Sequence, residues 1–289
     1  MILSLDHING LDAVAFTETF AGIYEHSPWV AERAAAFRPF TSLTALAAAL
    51  AGVVAAADDA AKLALLRAHP DLAGRAAVRG ELTDASRQEQ TSAGLDSLTP
   101  AEMARFTESN DRYRQRFGFP FILAVKHWGK AQILAAFDGR LGNTAAVEMA
   151  TALAEVDKIA FSRLLDRVIP APTGRLTTHA LDTARGRPAA GLPLELVRIG
   201  NDGESVVRQA ITNADGRLDQ PLLVGPEMAV GLWRLTFSTG DYFLASGQML
   251  TAPAFLDLVP IRFAIANPEQ HYHVPLLLSP WSYSTYRGS

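Results

Sequence analysis

The chain has 289 residues, about twice the usual single-domain length, so two domains with separate cores are expected. With 49% hydrophobic and 19% charged residues and a mean hydropathy of +0.10, it is too apolar for disorder and too polar for a membrane protein, and the 26 Lys and Arg against 30 Asp and Glu give no excess of cation for nucleic acid. The absence of cysteine excludes disulfides, thiolate metal sites and a cysteine nucleophile, and leaves hydroxyl, imidazole, carboxylate and guanidinium chemistry.

The opening MILSLDHING carries Asp6 and no Lys or Arg ahead of the apolar stretch, so no secretory signal is read and a cytoplasmic location is expected. From residue 11 to about 166 the text is helical. Leu43 to Ala57 is the most apolar run, mostly alanine, and too short to span a membrane, so it is expected as a buried helix. Asp58, Thr83 or Asp84, and Thr99 followed by Pro100 mark helix starts. Pro70 behind His69 and Pro120 inside 117–125 mark breaks, because a proline disfavours helix in the residue before it. The first half is therefore expected to be all-α.

Residues 168–174, VIPAPTG, have the composition of a short stiff linker, and the domains are set at 1–167 and 176–289 around a linker of 168–175. Beyond it the period becomes two. Residues 194–199, 206–212, 232–237 and 256–265 read as strands separated by Gly, Asn, Asp and Pro turns, with TNADG at 212–216 the clearest turn, so an all-β sandwich is expected. Trp281, Tyr283 and Tyr286 read as an ordered last strand.

In the helical half, His69 before a proline should stand at a helix end, where an imidazole can face a cavity. Ser86, Glu89 and Gln90 fall at i, i+3 and i+4 and so share one helical face. Ser86 to Glu89 also fits a capping box, and the spacing leaves both readings open. Arg112, Arg114 and Arg116 spread around their helix as surface charges, and His26 and His127 are taken as structural.

Three blocks, HPDLAGRAA at 69–77, ELTDASRQEQTSAGLDSL at 81–98 and NDRYRQRFGFPFILAV at 110–125, resemble OHCU decarboxylase, the 2-oxo-4-hydroxy-4-carboxy-5-ureidoimidazoline decarboxylase family, over about residues 7–167. The resemblance implies His69 as catalytic acid and Glu89 orienting it or raising its basicity. Around the substrate it implies Pro70, Ser86, Arg87, Gln88, Gln90, the loop Phe121, Ile122, Leu123, Ala124 and Val125, and Arg163 as the anion-binding arginine. Phe161 departs from the family, which often writes arginine there. No pyridoxal, thiamine or metal is expected, because the electrons left by departing carbon dioxide delocalise into the ring imine and carbonyl.

In the second half, His271 and His273 are two apart and share a strand face where a sandwich core would want apolar residues. LTTHALDTARGRPAAGLPLELVRI at 176–199, TNADGRL at 212–218, HYHVPLLLSP at 271–280 and the ending YRGS resemble 5-hydroxyisourate hydrolase of the transthyretin-like family over essentially all of 176–289. The resemblance implies a site lined by His179, Arg217, His273 and Tyr286, and a homotetramer built through this domain with the sites between subunits; dimer contacts of the first domain are an added expectation. Hydrolysis of a cyclic acyl bond needs a base and charge stabilisation, and imidazole and guanidinium supply them without a metal. His179 and His273 both remain candidates for the base.

The two resemblances together imply small-molecule substrates, 5-hydroxyisourate and OHCU, processed in sequence to (S)-allantoin with no cofactor. Two other readings stand beside this one: a transthyretin-type binding domain with helices serving assembly, or one activity kept and the other lost.

Overall fold

The computed structural model describes residues 2–74, 82–126, 128–200 and 202–288, and His127 lies outside the described residues. The chain forms two units, Met1–Ile169 and Pro170–Ser289. Their boundary falls inside the proline-rich stretch, and each end of that stretch is tied to its own unit. Ile169 donates its N–H to Leu3 at 2.8 Å in the first, and Ala171 donates to Glu269 at 2.7 Å in the second.

The first unit is helical: α1 Leu5–Gly10, α2 Ala13–Phe20, α3 Pro28–Ala34, α4 Leu43–Ala55, α5 Asp59–Arg67, α6 Asp84–Ser92, α7 Pro100–Phe117, α8 Lys130–Arg140 and α9 Ala145–Leu165. Side-chain caps decide where they begin. Asp58, Thr83 and Thr99 each accept from the third residue of the following helix, as their positions suggest, and Thr99 completes a capping box with Glu102. Helix begins earlier than expected, at Leu5, because Ser4 also caps. The capping-box reading of Ser86 to Glu89 fails, since Thr83 is the cap and leaves the Ser86 hydroxyl free for another partner. Helix α4 buries Leu43, Leu46, Leu50, Val53 and Val54 in the protein interior, and among the described residues no single helix is long and apolar enough to cross a membrane.

Gly118 closes α7 in the left-handed conformation (φ 76°), and with Pro120 behind it residues 119–125 form no helix or strand. This segment runs through the core with Phe121 stacked on Phe137, ring centroids 3.8 Å apart. Its polar backbone cannot stay unpaired there. Arg140 donates to the Ile122 carbonyl at 2.7 Å, and Ala124 N–H donates to Glu155 at 2.9 Å. Arg140 is in turn held by the fully buried Glu148, which also accepts from Tyr113 and Asn143.

The second unit is a sandwich. Its strands are β1 Arg175–Thr177, β2 Ala180–Asp182, β3 Arg187–Pro188, β4 Pro193–Gly200, β5 Gly203–Ile211, β6 Leu223–Val224, β7 Gly231–Ser238, β8 Leu258–Ile265, β9 His271–His273, β10 Leu276–Leu278 and β11 Tyr283–Ser284. One four-stranded sheet runs β5-β4-β7-β8; a three-stranded sheet runs β6-β1-β9 and a second four-stranded sheet β11-β10-β2-β3, with β1 parallel to β9 and β2 to β10. Trp233, Phe237, Phe243, Leu196 and Leu235 fill the interior.

Two expectations need correction. The last strand is only Tyr283–Ser284, and Trp281 and Tyr286 lie outside it; past β11 the chain is fixed instead by Thr285 bonding Pro275 and by Gly288 pairing with His273. A helix, α10 Thr239–Ala245, sits between β7 and β8 unforeseen, because seven residues are too few for a 3.6 period to stand out.

The TNADG turn closes as read. Gly216 takes φ +69°, and a Cβ there would stand 2.3 Å from the Ala180 carbonyl. Gly216→Ala should therefore cost the second unit about 2 kcal/mol or more in denaturant unfolding; an unchanged midpoint would show that the turn relaxes freely.

Candidate active sites in the two units

The end of α5 places His69 beside the start of α6. Pro70 stops the helix, and the His69 Nδ1–H donates to the Leu65 carbonyl at 2.9 Å. A carbonyl only accepts, so the neutral ring carries its proton on Nδ1 and leaves Nε2 bare. Burial is the main reason that this imidazole sits below its ordinary value, against upward pulls from the Leu65 bond and Glu25.

His69, Pro70, Ser86, Glu89, Gln90, the run from Phe121 to Val125, and Arg163 all border one cavity. Leu72, Lys126, Ile159 and Ser162 complete the lining. The i, i+3, i+4 argument thus picks out the right face of α6. It also shows why Arg87 and Gln88, expected at the substrate, are not there: they lie one and two positions round the helix and are exposed, with Arg87 bonding the Leu82 carbonyl and facing Asp84. Gln90 reaches the cavity with both ends of its amide engaged, accepting from Ala73 N–H and donating to the Asp71 carbonyl, which fixes the chain after His69. Arg112, Arg114 and Arg116 are exposed, as read.

Glu89 does not orient His69. It takes Arg163 in a two-point contact, with Nε at 2.8 Å and Nη2 at 3.0 Å. The other edge of the guanidinium meets a residue that the sequence did not single out. Glu25 approaches Arg163 Nη1 to 2.8 Å and accepts from the hydroxyls of Thr83 at 2.8 Å and Ser86 at 3.1 Å. Burial pushes the Glu25 carboxyl up, but Arg163 and these bonds outweigh it and hold it below the ordinary range. Glu25 lies in the α2–α3 turn, next to His26, which has the left-handed φ of 46°. Phe161, the position that departs from the family, packs on the hydrophobic core and does not border the cavity.

In the second unit, register brings the expected imidazoles together. Thr177 lies opposite His273 across the parallel β1–β9 pair, and His179 follows β1. His179 Nδ1 and His273 Nε2 are 3.0 Å apart with the rings nearly parallel. Burial first, and the Arg217 charge next for His179, hold both rings below the ordinary imidazole value; His179 itself adds to the effect on His273. Arg217 is brought alongside by a backbone bridge to His179. Tyr286 is 56% exposed. In the YRGS ending, Gly288 packs where a Cβ would come within 2.8 Å of the His273 ring.

Comparison with known proteins matches this division. The OHCU decarboxylase family model covers residues 9–165, and the HIUase/Transthyretin family model covers residues 176–288. The chain belongs to both families, one in each unit. The second unit is 57% identical over 117 residues to 5-hydroxyisourate hydrolase 2 of Rhizobium meliloti (strain 1021), covering 40% of this chain and 98% of that protein. The first is 47% identical over 165 residues to the 2-oxo-4-hydroxy-4-carboxy-5-ureidoimidazoline decarboxylase of Haloferax volcanii, covering 57% of this chain and 96% of that protein. A crystal structure of (S)-allantoin synthase matches with a TM-score of 0.87 at 39% identity, over 99% of this chain and 100% of that one.

The buried His69 has a consequence for stability. A base depressed in the folded state favours folding above its unfolded value, near 6.5, and that contribution is lost as the pH falls toward the folded value; ionised Glu25 acts the same way below about 4.5. Unfolding free energy of the first unit should be lower at pH 5 than at pH 7.5, and His69→Gln should narrow the gap. An identical gap in the variant would mean that His69 titrates freely.

Proposed function

We propose that the protein converts 5-hydroxyisourate to (S)-allantoin in two steps, the second unit hydrolysing 5-hydroxyisourate to OHCU and the first decarboxylating OHCU. The observation that carries this is the convergence of His69, Ser86, Glu89, Arg163 and the Phe121–Val125 segment on one cavity in a chain that holds both families end to end. The reactions run against the order of the units.

Decarboxylation needs the carboxylate placed, solvent kept away and one proton delivered. The lining is largely apolar, with Leu72, Phe121, Ile122, Leu123, Val125 and Ile159, which disfavours a localised carboxylate relative to the dispersed charge of the departing state. Arg163 is the anchor. Its Glu25 edge is sealed, with that side chain 2% exposed, whereas Glu89 is 25% exposed and holds Arg163 with the two-point geometry that a substrate carboxylate or ring oxygen would use. Substrate therefore competes with Glu89 for Nε and Nη2. Burial favours neutral His69, and the negative charge of bound OHCU favours its protonation. The carbon–carboxyl bond breaks, its electron pair enters the imine-conjugated ring, and His69 Nε2–H gives its proton to one face of the resulting anion. One fixed donor yields one enantiomer.

In the second unit, His179 or His273 takes a proton from water as the oxygen attacks the strained ring carbonyl, and Arg217 faces the oxyanion. A single subunit leaves Arg217 and Tyr286 open to solvent, and this exposure supports a homotetramer assembled through the sandwich. Light scattering should give about four times 31.1 kDa; an active monomer would overturn that assembly.

Two ultraviolet assays test the reading. His179→Ala and His273→Ala should each slow loss of 5-hydroxyisourate by about 10² or more and leave OHCU loss enzymatic, while His69→Ala should do the reverse. Variants that slow both steps alike, or neither, would refute separate sites.

A further inference from the structure

The hydrolase site extends beyond the His179–His273 pair. Thr177 Oγ1 stands 2.9 Å from His273 Nδ1 and 2.8 Å from His271 Nε2, so one hydroxyl joins a third imidazole to the pair. Parallel pairing puts Thr177 level with His273, and His271 lies two residues back on the same face of β9. The β-branch of Thr177 narrows its rotamers and keeps the hydroxyl between the two rings.

A hydroxyl has one hydrogen to give. When Thr177 donates to His271 Nε2 it must accept from His273 Nδ1–H; His273 Nε2 is then bare and accepts from His179 Nδ1–H, and His179 Nε2 is left bare as a base. When Thr177 donates to His273 instead, every donor along the chain is reversed and His179 carries its hydrogen on Nε2. The two arrangements differ by moving each hydrogen one place.

We infer that Thr177 and His271 form a proton exit for the hydrolytic site, with Thr177 as its positioning residue; this rests on the hydrolase reading above. A proton taken from water by His179 Nε2 is matched by transfers from His179 Nδ1 to His273 Nε2, from His273 Nδ1 to Thr177 Oγ1 and from Thr177 Oγ1 to His271 Nε2, and the His271 Nδ1 hydrogen leaves to solvent. One proton enters, one leaves, and no ring holds a net charge at the end. The need for an exit is electrostatic. An imidazolium kept at His179 would sit beside Arg217, which already disfavours charge on both His179 and His273. Burial and Arg175 act likewise on His271, so the three rings are neutral at pH 7 and able to pass a proton.

The test uses the full chain. Thr177→Val keeps the shape and removes the hydroxyl; kcat for 5-hydroxyisourate should fall about tenfold or more with KM little changed. Thr177→Ser should restore most of it, and His271→Gln, away from the Arg217 end, should repeat the loss. The solvent isotope effect on kcat should be curved in mixed-isotope water for the parent and straight for Thr177→Val. Imidazole 15N spectra give a readout independent of turnover, in which Thr177→Val should shift the tautomer signals of both His271 and His273. Unchanged kcat and isotope curvature in Thr177→Val, failure of serine to rescue, or His271 signals indifferent to Thr177 would each overturn the exit while leaving the hydrolase reading standing. A parent chain inactive on 5-hydroxyisourate would overturn that reading and the exit with it.

Discussion

A guanidinium buried in a helical core must be neutralised and hydrogen-bonded at every edge, and the decarboxylase unit is arranged around that requirement at Arg163. The residue comes from the last turn of α9. Its partners come from the turn after α2 and from one face of α6, so a single charge draws together segments separated by 74 residues or more. Glu25 cannot leave without stranding a charge, whereas Glu89, nearer solvent, can be exchanged. The same side chain therefore closes the floor of the cavity and offers its open edge to an anion. His69 feels both signs from this cluster and is left neutral by its own burial.

The sandwich meets the opposite problem, several bases close to one permanent cation. Burial, with Arg217 adding to it, keeps charge off His179 and His273, and strand register places a hydroxyl where it links neutral rings. Gly216 and Gly288 serve this arrangement by letting backbone approach where a methyl would collide, the first against the Ala180 carbonyl next to His179 and the second against the His273 ring. The two units thus control imidazole protonation differently. Burial is the first cause in both, and the sandwich adds a neighbouring charge and a hydrogen-bonded chain.

Much of this was legible in the text of the chain, and the exceptions have physical causes. His69 could be placed because proline fixes where α5 ends, and Ser86, Glu89 and Gln90 because helical period is local information. His271 and His273 followed from strand parity. Glu25 carried no such signal: it lies in a turn, 61 residues from Ser86, and its importance exists only through a contact that tertiary folding makes. Thr177 was hidden for the same reason, since its neighbours are 94 and 96 residues away across a parallel pair. Arg87 and Gln88 show the converse error. Membership in a motif block does not place a side chain in a cavity when its helical angle points elsewhere. Glu89 was placed correctly and paired wrongly, because spacing locates a face and says nothing about which charge lies opposite.

Hydrolysis supplies the substrate that the second step consumes, and covalent linkage keeps both sites at equal concentration. Stereochemistry separates enzymatic from spontaneous decarboxylation, because a proton delivered from the enclosed His69 reaches one face of the ring and a proton from water reaches both. Circular dichroism of the product formed when the full chain is given 5-hydroxyisourate measures this directly. Optically active (S)-allantoin, appearing faster than OHCU decays in buffer, is the predicted result. Racemic allantoin at the spontaneous rate would contradict it.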